Sequence, residues 1–229
     1  MVNVDYTQVM KHKTAYFSHD EIESMLNFCY NNNRIRDYVL IYVLLHTGRR
    51  ITEILGERPY TKKKGLRPVD IRDDGLIEFD ILKKNPIKLK NKKKISIESL
   101  NRLRLEKEPQ RRLKPIDNDA MILLKDYVKA KNIHPYDRVF PITRQRFDAI
   151  IKQIAKECNI YRDKYKIHAH MFRHSFSIII LKKNPNNVAV LRQVQELLEH
   201  SSINVTMNTY AQFTQEDKKE TLNKTFGDD

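Results

Sequence analysis

His170-Met171-Phe172-Arg173-His174-Ser175-Phe176-Ser177-Ile178-Ile179-Ile180-Leu181 reads as one amphipathic helix. At about 100° per residue, His170, Arg173, His174 and Ser177 share one arc, and Phe172, Phe176, Ile179 and Ile180 share another. The apolar arc predicts a core face. The polar arc presents an imidazole and a guanidinium together, which taken alone is only a solvated polar face. His168 and His170 alternate as metal ligands sometimes do, but no carboxylate or cysteine accompanies them and lysines surround them. No metal and no other cofactor is expected.

The elements upstream predict what this helix packs against. Ser18 and Glu21 make a capping box, Phe17 and Ile22 can staple it, and Ile22, Met25, Leu26 and Cys29 form the stripe that follows, up to Asn31-Asn32-Asn33. A second helix, Arg36 to about His46, is apolar almost all round and belongs at the centre of the core. Thr47-Gly48 stops it, and a new helix begins near Arg50 with Ile51, Ile54 and Leu55 inward.

From Gly56 to Pro115 the pattern changes. Pro59, Gly65 and Pro68 break any helix, and Leu76 to Leu82 alternates as a strand with Ile77, Phe79 and Ile81 on one face. A turn at Lys83-Lys84-Asn85-Pro86, a second extended stretch (Ile87, Leu89, Ile95, Ile97) and a third (Arg112 to Ile116) predict a small antiparallel sheet. Lys83 to Lys94 contains seven lysines and no acid, a pattern that suits either a solvated face or a phosphate contact. Residues 98–111 read as an inserted helix of alternating charge. Helices resume at Asp117, with Ile122, Leu123 and Tyr127 inward. Thr143 caps the next, with Phe147, Ile150, Ile151, Ile154 and Cys158 as its stripe. The last apolar helical segment (Val194, Leu197, Leu198) closes at His200, and a Ser-rich break leads to a second short helix carrying Tyr210. The fold class expected is mainly α with a small antiparallel β-sheet (α+β). One domain spans residues 1–229, with an ordered core over about 14–213 and a polar tail over 214–229.

Composition narrows the partners. The net charge of +14 over 229 residues, with 40% hydrophobic residues, indicates a folded protein that meets a polyanion. No apolar run approaches the roughly 20 residues of a membrane span. The opening Met-Val-Asn-Val-Asp-Tyr lacks the apolar core of a signal peptide, so a cytoplasmic location is expected. Cys29 and Cys158 read as buried thiols in a reducing compartment.

Thr47-Gly48-Arg49-Arg50-Ile51-Thr52-Glu53, then His170-Met171-Phe172-Arg173-His174, then Leu198-Glu199-His200-Ser201-Ser202-Ile203 leading to Tyr210, resemble the signature boxes of the tyrosine recombinase (phage-type integrase) family. Phe140-Pro141-Ile142-Thr143-Arg144-Gln145-Arg146 is also typical before the second box. The resemblance implies clamp arginines Arg50 and Arg173, box histidines His170 and His200, and the nucleophile Tyr210. It also implies a lysine in a turn between strands, Lys83 or Lys84, of which Lys83, the first after the strand, is preferred. The implied partner is double-stranded DNA, bound by a homotetramer that exchanges a C-terminal segment, here Thr214 to Phe226. Three departures stand out. Arg49 takes an apolar position, Phe172 replaces Leu, and Glu199 replaces the Gly that commonly precedes the last histidine. If that Gly serves a left-handed helix cap, Glu199 costs about 1 kcal/mol there and loosens His200. Members usually carry an N-terminal core-binding domain, so this chain is expected to be the catalytic half alone. The activity implied is DNA strand cutting and rejoining through a 3′-phosphotyrosyl link. The alternatives are a type IB topoisomerase-like nicking-closing enzyme and a catalytically silent DNA-binding module.

Overall fold

A computed structural model describes residues 16–57, 64–80, 111–162, 166–185 and 187–199. The elements are α1 (His19–Asn31), α2 (Ile35–Thr47), α3 (Ile51–Leu55), a 3-10 turn (Pro68–Asp70), β1 (Leu76–Asp80), β2 (Arg111–Pro115), α4 (Asn118–Ala130), α5 (Arg144–Glu157), α6 (His170–Lys183) and α7 (Val188–Leu198).

The expected capping box forms at α1. Ser18 Oγ accepts from the Glu21 N–H at 3.2 Å, and the Ser18 N–H donates to Glu21 Oε2 at 2.8 Å. Glu21 has a second role that nothing local announces, because Arg162 donates to both its oxygens at 2.8 and 2.6 Å and ties α1 to the segment after α5. Helix α2 is the hub. Val39, Leu40, Ile41, Val43 and Leu44 are buried, and α1, α4 and α6 all pack against it. The Ser175 hydroxyl of α6 accepts from the Phe17 N–H at 2.8 Å, and the Phe17 and Phe172 rings sit 4.8 Å apart. The middle of α6 is thereby fixed to the start of the fold.

Strands β1 and β2 pair antiparallel, Leu76 opposite Pro115 through to Asp80 opposite Arg111. Ile77 and Phe79 are buried on one face, as the alternation predicts. The pair is held at one end by Arg111, which reaches Asp70 at 2.5 Å, Glu78 at 2.6 Å and Asp80 at 3.2 Å. The second extended stretch, the inserted helix up to residue 110, the lysine-rich turn with Lys83, and everything from His200 onward, Tyr210 included, lie outside the described residues, while Arg111, expected to end that helix, begins β2 instead.

Asp117 caps α4 and Thr143 caps α5, each accepting a backbone N–H. Two expectations need correction. Ile122 faces outward, 59% exposed, because the buried stripe of α4 runs through Ala120, Met121, Leu124 and Tyr127, and Ile122 lies about 200° of helical rotation from Leu124. Cys158 is only half-buried at the end of α5, whereas Cys29 is fully enclosed and burial pushes its thiol up to about 12. Among the described residues no helix is long and apolar enough to cross a membrane.

Candidate active site

The site is assembled where three chain segments meet. The first is the exit of α2. Gly48 adopts φ 59°, ψ 16°, a left-handed conformation that an L side chain enters only with strain. Space forbids a side chain as well, since a Cβ on Gly48 would lie 2.5 Å from Phe176 Cδ1 and 2.8 Å from Leu198 Cδ2. The chain turns sharply here and presents Arg49 and Arg50 at the start of α3. Glu53 Oε2 accepts the backbone N–H of Arg50 at 3.0 Å, and Glu53 Oε1 accepts its guanidinium at 2.9 Å. Glu53 is buried while the Arg50 side chain stays 29% exposed, so this guanidinium is held firmly yet remains open on one side.

The second segment is the first turn of α6, whose amide at Ala169 is held by Asp148 of α5 at 2.8 Å. The polar arc of α6 does not face water. Arg173 and Ser177 are 3% and 2% exposed, and His170 and His174 are half-buried. Arg173 is enclosed because it crosses to other segments: it donates to the Gly48 carbonyl at 2.8 Å and to the Leu198 carbonyl. Burial, then the charges of Arg50 and Arg49, lowers the Arg173 pKa to about 9 against the opposing pull of Glu53 and Glu199, so it remains a cation at neutral pH.

The third segment is the end of α7. Val194 and Leu198 are buried against Phe176 and Leu181 of α6. The helix ends at Glu199 in a left-handed conformation, φ 54°, ψ 40°. The left-handed cap expected of the usual Gly is therefore present, with Glu in it. Its carboxylate is not idle, being 3.1 Å from Lys114 Nζ, 3.3 Å from Arg49 Nη1 and 3.8 Å from Arg112 Nη1. Burial opposes its ionisation, but Lys114, Arg49 and Arg112 together hold its pKa below the usual range.

His170 lies within electrostatic reach of Arg173 and Arg50. Burial, then His174, Arg173, His168 and Arg50, lowers its pKa to about 3, so the free site holds a neutral imidazole. The His170 and His174 rings meet edge to face at 4.9 Å, and burial with Arg173 and His168 lowers His174 too. Of the six residues expected to act, the structure brings Arg50, His170 and Arg173 into one electrostatic neighbourhood. Lys83, His200 and Tyr210 lie outside the described residues. Two participants escaped the sequence reading, Arg49 as an interior ion-pair partner and Lys114 on β2. Arg49 was visible only as a charge in an apolar slot.

The model of the "Phage integrase family" matches residues 78–217, more than half of the chain. The chain belongs to the phage integrase family. This span includes Lys83, His170, Arg173, His200 and Tyr210 and leaves Arg50 upstream of it. Among curated relatives, a tyrosine recombinase of Thermosipho africanus is 23% identical over 98% of this chain and 66% of its own length. The first relatives matched are covered over 26% to 66% of their own lengths. The fold agrees with that of the XerA recombinase (TM-score 0.61, 17% identity, 96% of this chain and 66% of that one). It also agrees with the catalytic domain of bacteriophage HP1 integrase (TM-score 0.51, 17% identity, 93% of this chain and 94% of that one). This phage integrase family member therefore has the tyrosine recombinase catalytic-domain fold, mostly helical with a small antiparallel sheet.

Proposed function

We propose that this chain is the catalytic domain of a site-specific tyrosine recombinase that cuts and rejoins double-stranded DNA through a 3′-phosphotyrosyl intermediate. The observation that carries the reading is the grouping of Arg50 and Arg173 around neutral His170, in which Arg173 is depressed first by burial and then by the charges of Arg50 and Arg49, the part an anion would offset. Arg50 and Arg173 hold the two non-bridging oxygens of the scissile phosphate and balance the charge that develops on them. The Tyr210 oxygen attacks phosphorus and its proton passes to His170. The bond from phosphorus to the 5′ oxygen breaks, and Lys83 protonates that oxygen while His200 donates to a phosphate oxygen. Burial and His174 lower His170 most, and a bound phosphate offsets only the smaller part contributed by Arg173 and Arg50, shifting the imidazole toward greater basicity. The bond energy stays in the phosphotyrosyl link, and the 5′ hydroxyl of a second strand reverses the step without ATP.

The working form is a homotetramer on DNA that exchanges the segment 214–226, acting in the cytoplasm. The net charge of +14 supports the nucleic-acid partner. The test is incubation with a nicked suicide duplex carrying the recombination site. Wild type should become trapped covalently and Tyr210→Phe should not. No adduct with wild type, or an undiminished one with Tyr210→Phe, refutes the reading, and plasmid relaxation without recombinants would select the nicking-closing enzyme instead.

A further inference from the structure

We propose that Arg49 and Glu199 form an internal clamp that sets the direction in which the chain enters His200, and that they are positioning residues of the site. Arg49 directly precedes Arg50 and Glu199 directly precedes His200, while Arg173 donates to the carbonyls of the residues one step further back, Gly48 and Leu198. The Arg49–Glu199 pair, at 3.3 Å with side chains 2% and 8% exposed, closes the same junction a second time. A left-handed conformation at a non-glycine residue is disfavoured by about fivefold in population relative to glycine, so Glu199 needs a compensating contact to stay in it. Arg49 supplies that contact from within the fold, and Lys114, which also donates to the Glu196 carbonyl at 3.4 Å, supplies it from β2.

The pair is asymmetric. Without Arg49, Glu199 keeps Lys114 and Arg112. Without Glu199, Arg49 keeps, among the described residues, a 3.8 Å approach to Glu53, and its Nε and Nη2 already lack hydrogen-bond partners among them. The loss at position 199 is therefore the more harmful one. Replacing both residues removes both difficulties, because glycine adopts the left-handed cap without strain and leucine fills the Arg49 site without a charge.

The inference rests on the proposed recombinase reading for its catalytic consequence, so the test has an arm that needs no DNA. Wild type, Arg49→Leu, Glu199→Gly and the double variant are compared by hydrogen exchange of the peptide covering residues 194–203. Glu199→Gly should accelerate exchange by about tenfold or more alone, and by less than about threefold in the Arg49→Leu background. Single-turnover cleavage of the suicide duplex at saturating DNA should follow the same cycle, with Kd changed by less than about threefold, a split that loss of folded protein alone does not produce. Equal effects in both backgrounds in hydrogen exchange overturn the clamp. Coupling in exchange that is missing from the cleavage rates of an active wild type overturns the positioning role. A wild type that shows the exchange coupling but forms no adduct removes the proposed function and leaves the clamp standing.

Discussion

The two left-handed turns that flank Arg173 solve the same problem with different chemistry. At Gly48 the turn is held by sterics: the residue has no side chain, and Phe176 and Leu198 close over the space a Cβ would need. At Glu199 it is held by charge, in a conformation that suits glycine better, with Lys114 and Arg49 at 3.1 and 3.3 Å from the carboxylate. The carbonyl of Gly48 and the carbonyl just before Glu199 accept from the same guanidinium. One turn is therefore closed by packing and insensitive to pH, and the other depends on ionised partners.

The largest expected effect that separates them is Gly48→Ala. Strain at φ 59° and overpacking against Phe176 and Leu198 should together cost ~2–4 kcal/mol, read as a lowered Tm and urea midpoint. A Tm within a degree or two of wild type would break the steric account of that turn.

Next comes Glu199→Gln, which keeps the backbone strain and leaves the buried Arg49 charge without its carboxylate, at ~2–3 kcal/mol. Glu199→Gly loses the same charge but relaxes the backbone, and should be milder by about 1 kcal/mol. If urea titrations give the opposite order, the charged turn is not strained as described.

The smallest effect is that of pH. The folded pKa of His170 is lowered from 6.5 to about 3, so the unfolded chain binds the extra proton first. Its contribution is full above about pH 6.5 and is lost progressively as pH falls toward about 3, with ~1–2 kcal/mol gone by pH 5. Glu199, also lowered, loses stability in the same direction at more acid pH. His170→Gln should flatten the stability profile between pH 6.5 and 5 while leaving the Gly48 turn untouched; an unchanged slope would mean that burial and its charged neighbours do not hold the His170 imidazole low.

Local signals carried most of the fold. The Ser18 box, the all-apolar α2, the Gly48 stop and the Ile77–Phe79 alternation are properties of neighbouring residues, and the structure bears them out. What could not be read locally were contacts across long stretches of chain. Arg162 reaches Glu21, and Arg49 reaches Glu199, by bringing together charges that each look like surface residues in sequence. The burial of the α6 polar arc is of the same kind, because Arg173 is covered by carbonyls of two other segments. Ile122 is apolar yet exposed because the phase of the α4 stripe is set by Ala120, Met121, Leu124 and Tyr127, which local hydrophobicity alone does not fix. Glu199, a departure expected to loosen the last box, occupies the predicted left-handed cap and is held there by partners the sequence did not reveal.

Under the proposed function, Arg173, fixed between the two turns by its bonds to the Gly48 and Leu198 carbonyls, acts on the scissile phosphate through its fixed orientation as well as its charge. The direct measurement is the single-turnover cleavage rate of Arg173→Lys on the suicide duplex at saturating DNA, with Kd measured in parallel. Lysine keeps the charge but cannot span both carbonyls and a phosphate, so the rate should fall by about 100-fold or more with Kd within about threefold of wild type. A cleavage rate within about threefold of wild type would contradict the account.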